Sequence, residues 1–143
     1  MSEHISNTEL IRLAFEARRN AYAPYSHFKV GAALLAGNGA VYKGCNIENS
    51  SYGATNCAER TAIFKAISEG VREFDRIAIV GGMEEDDNAT KGYAYPCGVC
   101  RQVMREFCNP NDFKVIVAKN EEDYIEYTLE EILPLSFGPE NIY

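Results

Sequence analysis

Histidine is scarce in this chain: His4 and His27 are the only two among 143 residues, and both lie near the N-terminus. They are too few and too N-terminal to build most zinc-enzyme sites, so any metal site must be made of sulfur. Basic charge is also short. Fourteen Lys and Arg stand against 21 Asp and Glu, a net charge of −7, and a field of that sign repels polyphosphates and anionic membrane surfaces. A nucleic-acid polymer is therefore a poor partner. No apolar run approaches the ~20 residues that span a bilayer. The opening residues Met1 to Thr8 lack the apolar core of an export signal, so the expectation is a cytoplasmic protein that meets no membrane. With only 11 Gly and 5 Pro, collagen-like and low-complexity chains are excluded.

What is present fits a globular protein: 46% of the residues are hydrophobic and 24% charged. The expectation is one domain over residues 1–143, a length at which roughly two thirds of the unfolded surface is buried on folding. Cys45, Cys57, Cys97, Cys100 and Cys108 are an odd number of cysteines in a chain large enough to fold without staples. Metal or catalytic thiolates are favoured over disulfides.

Apolar residues at helical spacing predict a first helix from Thr8 to Ala23, with Thr8 as N-cap and Pro24 as the stop. Phe28 to Ala36, the turn Gly37-Asn38-Gly39, and Ala40 to Asn46 predict a hairpin. A second helix runs from about Cys57 to Ser68, capped by Thr55 or Asn56, with Gly70 just past its end. Ile77-Ala78-Ile79-Val80 marks a strand buried on both faces. After a polar, acidic connection from Met83 to Tyr95, Pro96 opens a third helix reaching about Phe107. Strands follow over Phe113 to Ala118 and Tyr124 to Tyr127, then a short helix from Leu129 to Leu133. Such alternation predicts an α/β fold, a sheet covered by helices on both faces, with parallel strands towards the C-terminal half.

Cys57 at the start of one helix, and Cys97 and Cys100 in the first turn of another, can present three sulfurs to one ion. Helix starts favour the thiolate. A catalytic zinc takes three protein ligands and keeps one position for water, and Glu59 would face the same cavity as a base. Two other readings use the same cysteines. One is a redox pair at Cys97 and Cys100, which leaves Glu59 without a role. The other is a four-sulfur structural site with Cys108, which lies two helical turns and about 12 Å beyond Cys100. Cys45 and Cys108 read more naturally as core cysteines.

Cys-x-Glu followed forty residues later by Pro-Cys-x-x-Cys fits the zinc-deaminase signature in its three-cysteine form. The likeness extends through Ala23-Pro-Tyr-Ser-His-Phe-Lys-Val-Gly-Ala-Ala-Leu-Leu35, Gly44-Cys-Asn-Ile-Glu-Asn-Ser-Ser-Tyr52, Cys57-Ala-Glu-Arg-Thr-Ala62, Pro96-Cys-Gly-Val-Cys-Arg-Gln-Val103 and Leu133-Pro-Leu-Ser-Phe-Gly-Pro139. Five blocks in order, covering nearly the whole chain, resemble the small homotetrameric cytidine deaminases of nucleoside salvage.

That resemblance implies a three-layer α/β/α sandwich with a mixed five-stranded sheet and one zinc per subunit. It also implies hydrolytic deamination of cytidine and 2′-deoxycytidine to uridine and 2′-deoxyuridine. Carried over residue by residue, it makes Cys57, Cys97 and Cys100 the zinc ligands and Glu59 the catalytic acid and base. Asn46 and Glu48 match residues that hold the ribose hydroxyls, Phe28 an aromatic packing on the nucleoside, and Ala58 a backbone contact to the base edge. Phe137 matches an aromatic that reaches the pyrimidine of a neighbouring subunit. Three thiolates on Zn²⁺ leave a net −1, and Arg60 can offset it by donating hydrogen bonds to the sulfurs. A blasticidin-type deaminase of a modified cytosine nucleoside shares this site and is the alternative reading. The chain departs from the usual pattern in its longer, acidic stretch Gly82 to Tyr95, and in Tyr95, where a Ser often precedes Pro-Cys-Gly.

Overall fold

The computed structural model describes residues 5–142, so His4 lies outside it. The first helix, α1 (Asn7–Arg18), is followed by strands β1 (Phe28–Ala36) and β2 (Val41–Cys45), helix α2 (Ala58–Ser68) and strand β3 (Phe74–Met83). Helix α3 (Gly98–Phe107), strands β4 (Lys114–Ala118) and β5 (Tyr124–Thr128) and the short helix α4 (Leu129–Ile132) complete the main elements. Among the described residues five strands form one sheet in the order β2-β1-β3-β4-β5. Only β3 and β4 run parallel; the other three pairings are antiparallel. The parallel character expected of the C-terminal half is thus confined to one pair, because β5 returns from β4 as a hairpin.

The central strands are apolar on both faces, and alternate residues feed two cores. On one face Leu10, Ile11 and Ala14 of α1 pack on Ala33, Leu35 and Val80. On the other, Ala62 and Ile63 of α2 and Met104 of α3 pack on Ala32, Leu34 and Ile79. The three-layer α/β/α sandwich expected from the sequence is the fold observed.

The helix boundaries differ from the sequence expectation, each for a physical reason. The N-cap of α1 is Ser6, not Thr8, because Ser6 and Glu9 form a reciprocal capping box. The helix stops at Arg18, not Ala23. The Arg18 guanidinium turns inward to donate to the carbonyls of Lys29 (2.9 Å), Gly82 (3.0 Å) and Asp86 (2.8 Å). The backbone of Tyr22 then pairs with that of Asn46 and Glu48. Those Arg18 bonds, with Glu84 N donating to His27 O (2.8 Å) and Thr90 N to Lys119 O (2.8 Å), fix the acidic connection after β3. His27 itself, at φ 59°, turns the chain into β1 and pairs with Glu84 at 3.3 Å.

Two glycines set how closely the helices approach the sheet. A Cβ on Gly31 would stand 2.1 Å from the Ala14 carbonyl oxygen, and one on Gly44 2.5 Å from that of Ala58. The second contact seats the start of α2 on β2. Gly44→Ala must push backbone rather than a side-chain tip, so we expect a loss of about 3 kcal/mol, the upper end for overpacking. Urea unfolding measures it, and a change below ~0.5 kcal/mol would show that the helix can move aside freely.

Candidate metal and catalytic site

Helices α2 and α3 begin beside each other on the same face of the sheet, and each begins at a cysteine. Cys57 is the N-cap of α2 and Cys97 the N-cap of α3; neither side chain caps its own helix. The sequence expectation gave those starts to Thr55 or Asn56 and to Pro96. Asn56 instead gives its amide to Thr61 Oγ1 (3.1 Å), and Pro96 offers its carbonyl to Arg101 Nε (2.8 Å). Both sulfurs are thereby free to face one another.

The sulfurs of Cys57, Cys97 and Cys100 all lie within 4.8 Å of one another, and those of Cys57 and Cys97 are 3.8 Å apart. Two sulfurs each ~2.3 Å from a tetrahedral ion are about 3.8 Å apart. The set therefore fits zinc by spacing and by chemistry: three soft donors at two helix N-termini, with room for a fourth ligand. The electrostatics agree. The Cys100 thiol, and after it the Arg60 guanidinium, hold Cys57 well below the ordinary thiol range. Cys100, which hydrogen-bonds to Cys57 and is buried, is pushed up. Three neighbouring thiols cannot all ionise unless a cation sits among them. Arg60 Nη2 donates to Cys57 Sγ at 3.2 Å, and Arg60 Nε is buried without a partner.

Glu59 is 4% exposed. Burial pushes its carboxyl up to about 7, where a proton can be both taken and given near neutral pH. It opens, with Cys57, Cys97, Ala58, Phe28 and Asn46, onto a cavity of about 360 Å³, a volume that suits a small ligand.

The remaining expected residues are not all brought to this cavity. Asn46 is: its Oδ1 accepts from Val30 N and its Nδ2 donates to Phe28 O, both at 2.9 Å, so the side chain also braces the start of β1. Glu48 lines a neighbouring hollow with Ser26 and Tyr52, which meets the first at Thr55. Its carboxylate accepts from the backbone of Tyr25 (3.0 Å) and Ser26 (3.1 Å) and from the Ser26 hydroxyl, which holds it below the usual carboxylate range. Phe137 stands apart from both, 60% exposed, its carbonyl held by Gln102 Nε2 at 2.9 Å. Cys108 lies away from the sulfur group, and burial pushes its thiol up to about 12. The four-sulfur reading is therefore excluded. Ile79, Ala94 and Tyr95 also line the cavity; of these only Tyr95, directly before Pro96-Cys97, carried a signal in the sequence.

The family profile described as the cytidine and deoxycytidylate deaminase zinc-binding region matches residues 5–118. The chain belongs to that family. A cytidine deaminase of Halalkalibacterium halodurans is 52% identical over 133 residues, 93% of this chain and 95% of its own. One of Sporosarcina psychrophila is 49% identical over 134 residues, 94% and 93% of the two chains. Among solved structures, the cytidine deaminase of Burkholderia pseudomallei superposes with a TM-score of 0.84 at 46% identity, covering 93% of this chain and all of that one. The Bacillus cereus blasticidin-S deaminase is more distant, 32% identical over 130 residues and 90% of each chain. The alternative reading is the weaker one for that reason. Zinc is the metal of this deaminase family, and the Cys57, Cys97 and Cys100 group fits it. Among the described residues no helix is long and apolar enough to cross a membrane.

Proposed function

We propose that this protein is a zinc-dependent hydrolase that deaminates cytidine and 2′-deoxycytidine to uridine and 2′-deoxyuridine, releasing ammonia. The observation that carries the reading is the buried Glu59 carboxyl on a nucleoside-sized cavity that also exposes Cys57 and Cys97 of the three-sulfur group. Bound by Cys57, Cys97 and Cys100, zinc supplies the Lewis acidity that brings the pKa of water to about 7. Glu59 accepts a proton from the attacking water and delivers it to N3 of the pyrimidine, which makes C4 electrophilic. Once oxygen has added to C4, Glu59 takes the proton of the new C4 hydroxyl and gives it to the exocyclic nitrogen, and the C4–N bond breaks to release ammonia and leave the C4 carbonyl. Arg60 donates to the Cys57 sulfur and offsets the negative charge of three thiolates.

Phe28 packs against the nucleoside, and the backbone of Ala58 meets the edge of the base. Asn46 keeps its second amide N–H and a lone pair for a ribose hydroxyl, and Glu48 takes the other from the adjoining hollow. Phe137 and the almost fully exposed Leu135 are apolar groups on a strap held by Gln102 and Arg105. They support a homotetramer in which Phe137 reaches a neighbouring subunit's pyrimidine. A single domain over residues 1–143, one zinc per subunit, a cytoplasmic location and a place in pyrimidine salvage complete the reading.

The test compares cytidine with the free base cytosine in the zinc-loaded protein, following the ultraviolet change and ammonia. Loss of the ribose removes the hydroxyl contacts assigned to Asn46 and Glu48, so kcat/KM for cytosine is expected to be about ten-thousand-fold lower. Equal turnover of base and nucleoside would remove the ribose roles; turnover of neither would remove the function.

A further inference from the structure

Tyr95 is only half buried, 51% exposed, yet it is not free to move. Its backbone precedes Pro96, which keeps it extended, and the Pro96 carbonyl is held by Arg101 Nε at 2.8 Å. On its other side Ala94 packs beneath β3 so closely that a Cβ on Gly81 would stand 2.7 Å from the Ala94 methyl. The Tyr95 ring is braced by two more tyrosines, with centroids 6.4 Å from both Tyr93 and Tyr127 at interplanar angles of 60° and 53°. Tilted contacts of this kind add stabilisation beyond area burial. A fixed aromatic ring thus forms part of the cavity lined by Glu59, Cys57 and Cys97.

The side of the substrate that meets this ring follows from the deamination reading above, on which this step rests. C4 of the pyrimidine must sit beside the sulfurs, and N3 must meet Glu59 on α2. C5 lies on the opposite side of C4 from N3. It is therefore turned away from α2, towards the wall built by the chain that leads into Cys97, where Tyr95 stands.

We infer that Tyr95 is a specificity-determining residue that closes the cavity beside C5, admitting a hydrogen there and rejecting large substituents. The experiment measures kcat/KM for cytidine and 5-iodocytidine in the zinc-loaded wild type, Tyr95→Ser and Tyr95→Phe. The electronic effect of iodine is common to all three and cancels when the ratios are compared. Steric relief in a pocket of this kind is worth roughly tenfold or more. The 5-iodocytidine to cytidine ratio is expected to rise at least about tenfold in Tyr95→Ser and to change less than about twofold in Tyr95→Phe. The calorimetric Kd ratio of the products 5-iodouridine and uridine, which requires no turnover, is expected to shift in parallel. Unchanged ratios in Tyr95→Ser would overturn the inference. A wild type that binds uridine without deaminating cytidine would overturn the deamination reading alone, leaving the Kd ratios to decide the role of Tyr95. A wild type that binds neither nucleoside would overturn both.

Discussion

Glu59→Gln is expected to keep its zinc and to lose kcat by about ten-thousand-fold, the upper end for loss of a general acid and base. The upper end applies because one carboxyl carries every proton in the proposed reaction: from water, to N3 and to the leaving amine. The amide has the same shape, and the side chain is buried on the first turn of α2, so the helix and its cysteine remain in place. Glu59 is not among the grouped sulfur donors, so metal content is expected to stay at one zinc per chain. Metal analysis and steady-state kinetics on the same sample check both statements. A variant that keeps zinc and loses less than tenfold in kcat would assign the proton transfers to another group.

Cys100→Ala is expected to abolish turnover by a different route, through the metal. Cys100 is fully buried in the core formed by α2, α3 and the sheet, and it completes the group of three sulfurs. Two sulfurs do not hold zinc against competing chelators, so the purified variant should be essentially metal-free. Zinc that binds the folded state alone stabilises it in proportion to the logarithm of its concentration over Kd, about 4 kcal/mol at a thousandfold excess. The wild type should therefore melt lower after chelation and recover on addition of zinc. Cys100→Ala should melt at one temperature in both conditions. A variant that retains stoichiometric zinc would mean that another donor completes the site.

Local signals are legible in this sequence, and tertiary ones are not. The runs Ile77 to Val80 and Val115 to Ala118 are apolar without alternation, a pattern that only a strand buried on both faces needs, and they form the middle of the sheet. Cys97 and Cys100 are legible as a pair from their three-residue spacing, although Cys97 is the extended N-cap of α3 and not part of its first turn as expected. The caps were misleading. Thr55, Asn56 and Pro96 have the chemistry of helix starts, but the positions go to Cys57 and Cys97, whose side chains serve the cluster between the helices. The end of α1 was hidden because it depends on carbonyls 64 to 68 residues away that receive the Arg18 guanidinium. Asn46 could be placed near the site from its motif, yet its bracing of β1 is visible only in three dimensions. Glu48 and Phe137 lie outside the zinc cavity of one chain, and no local pattern encodes that separation.

The most direct test follows ammonia and uridine released from cytidine by the wild type, with zinc measured in the same sample. With one zinc per chain, the expected result is many equivalents of both products per chain, in a one-to-one ratio, with release stopped by chelation and restored by zinc. A fully zinc-loaded protein that releases no ammonia from cytidine would contradict the assignment.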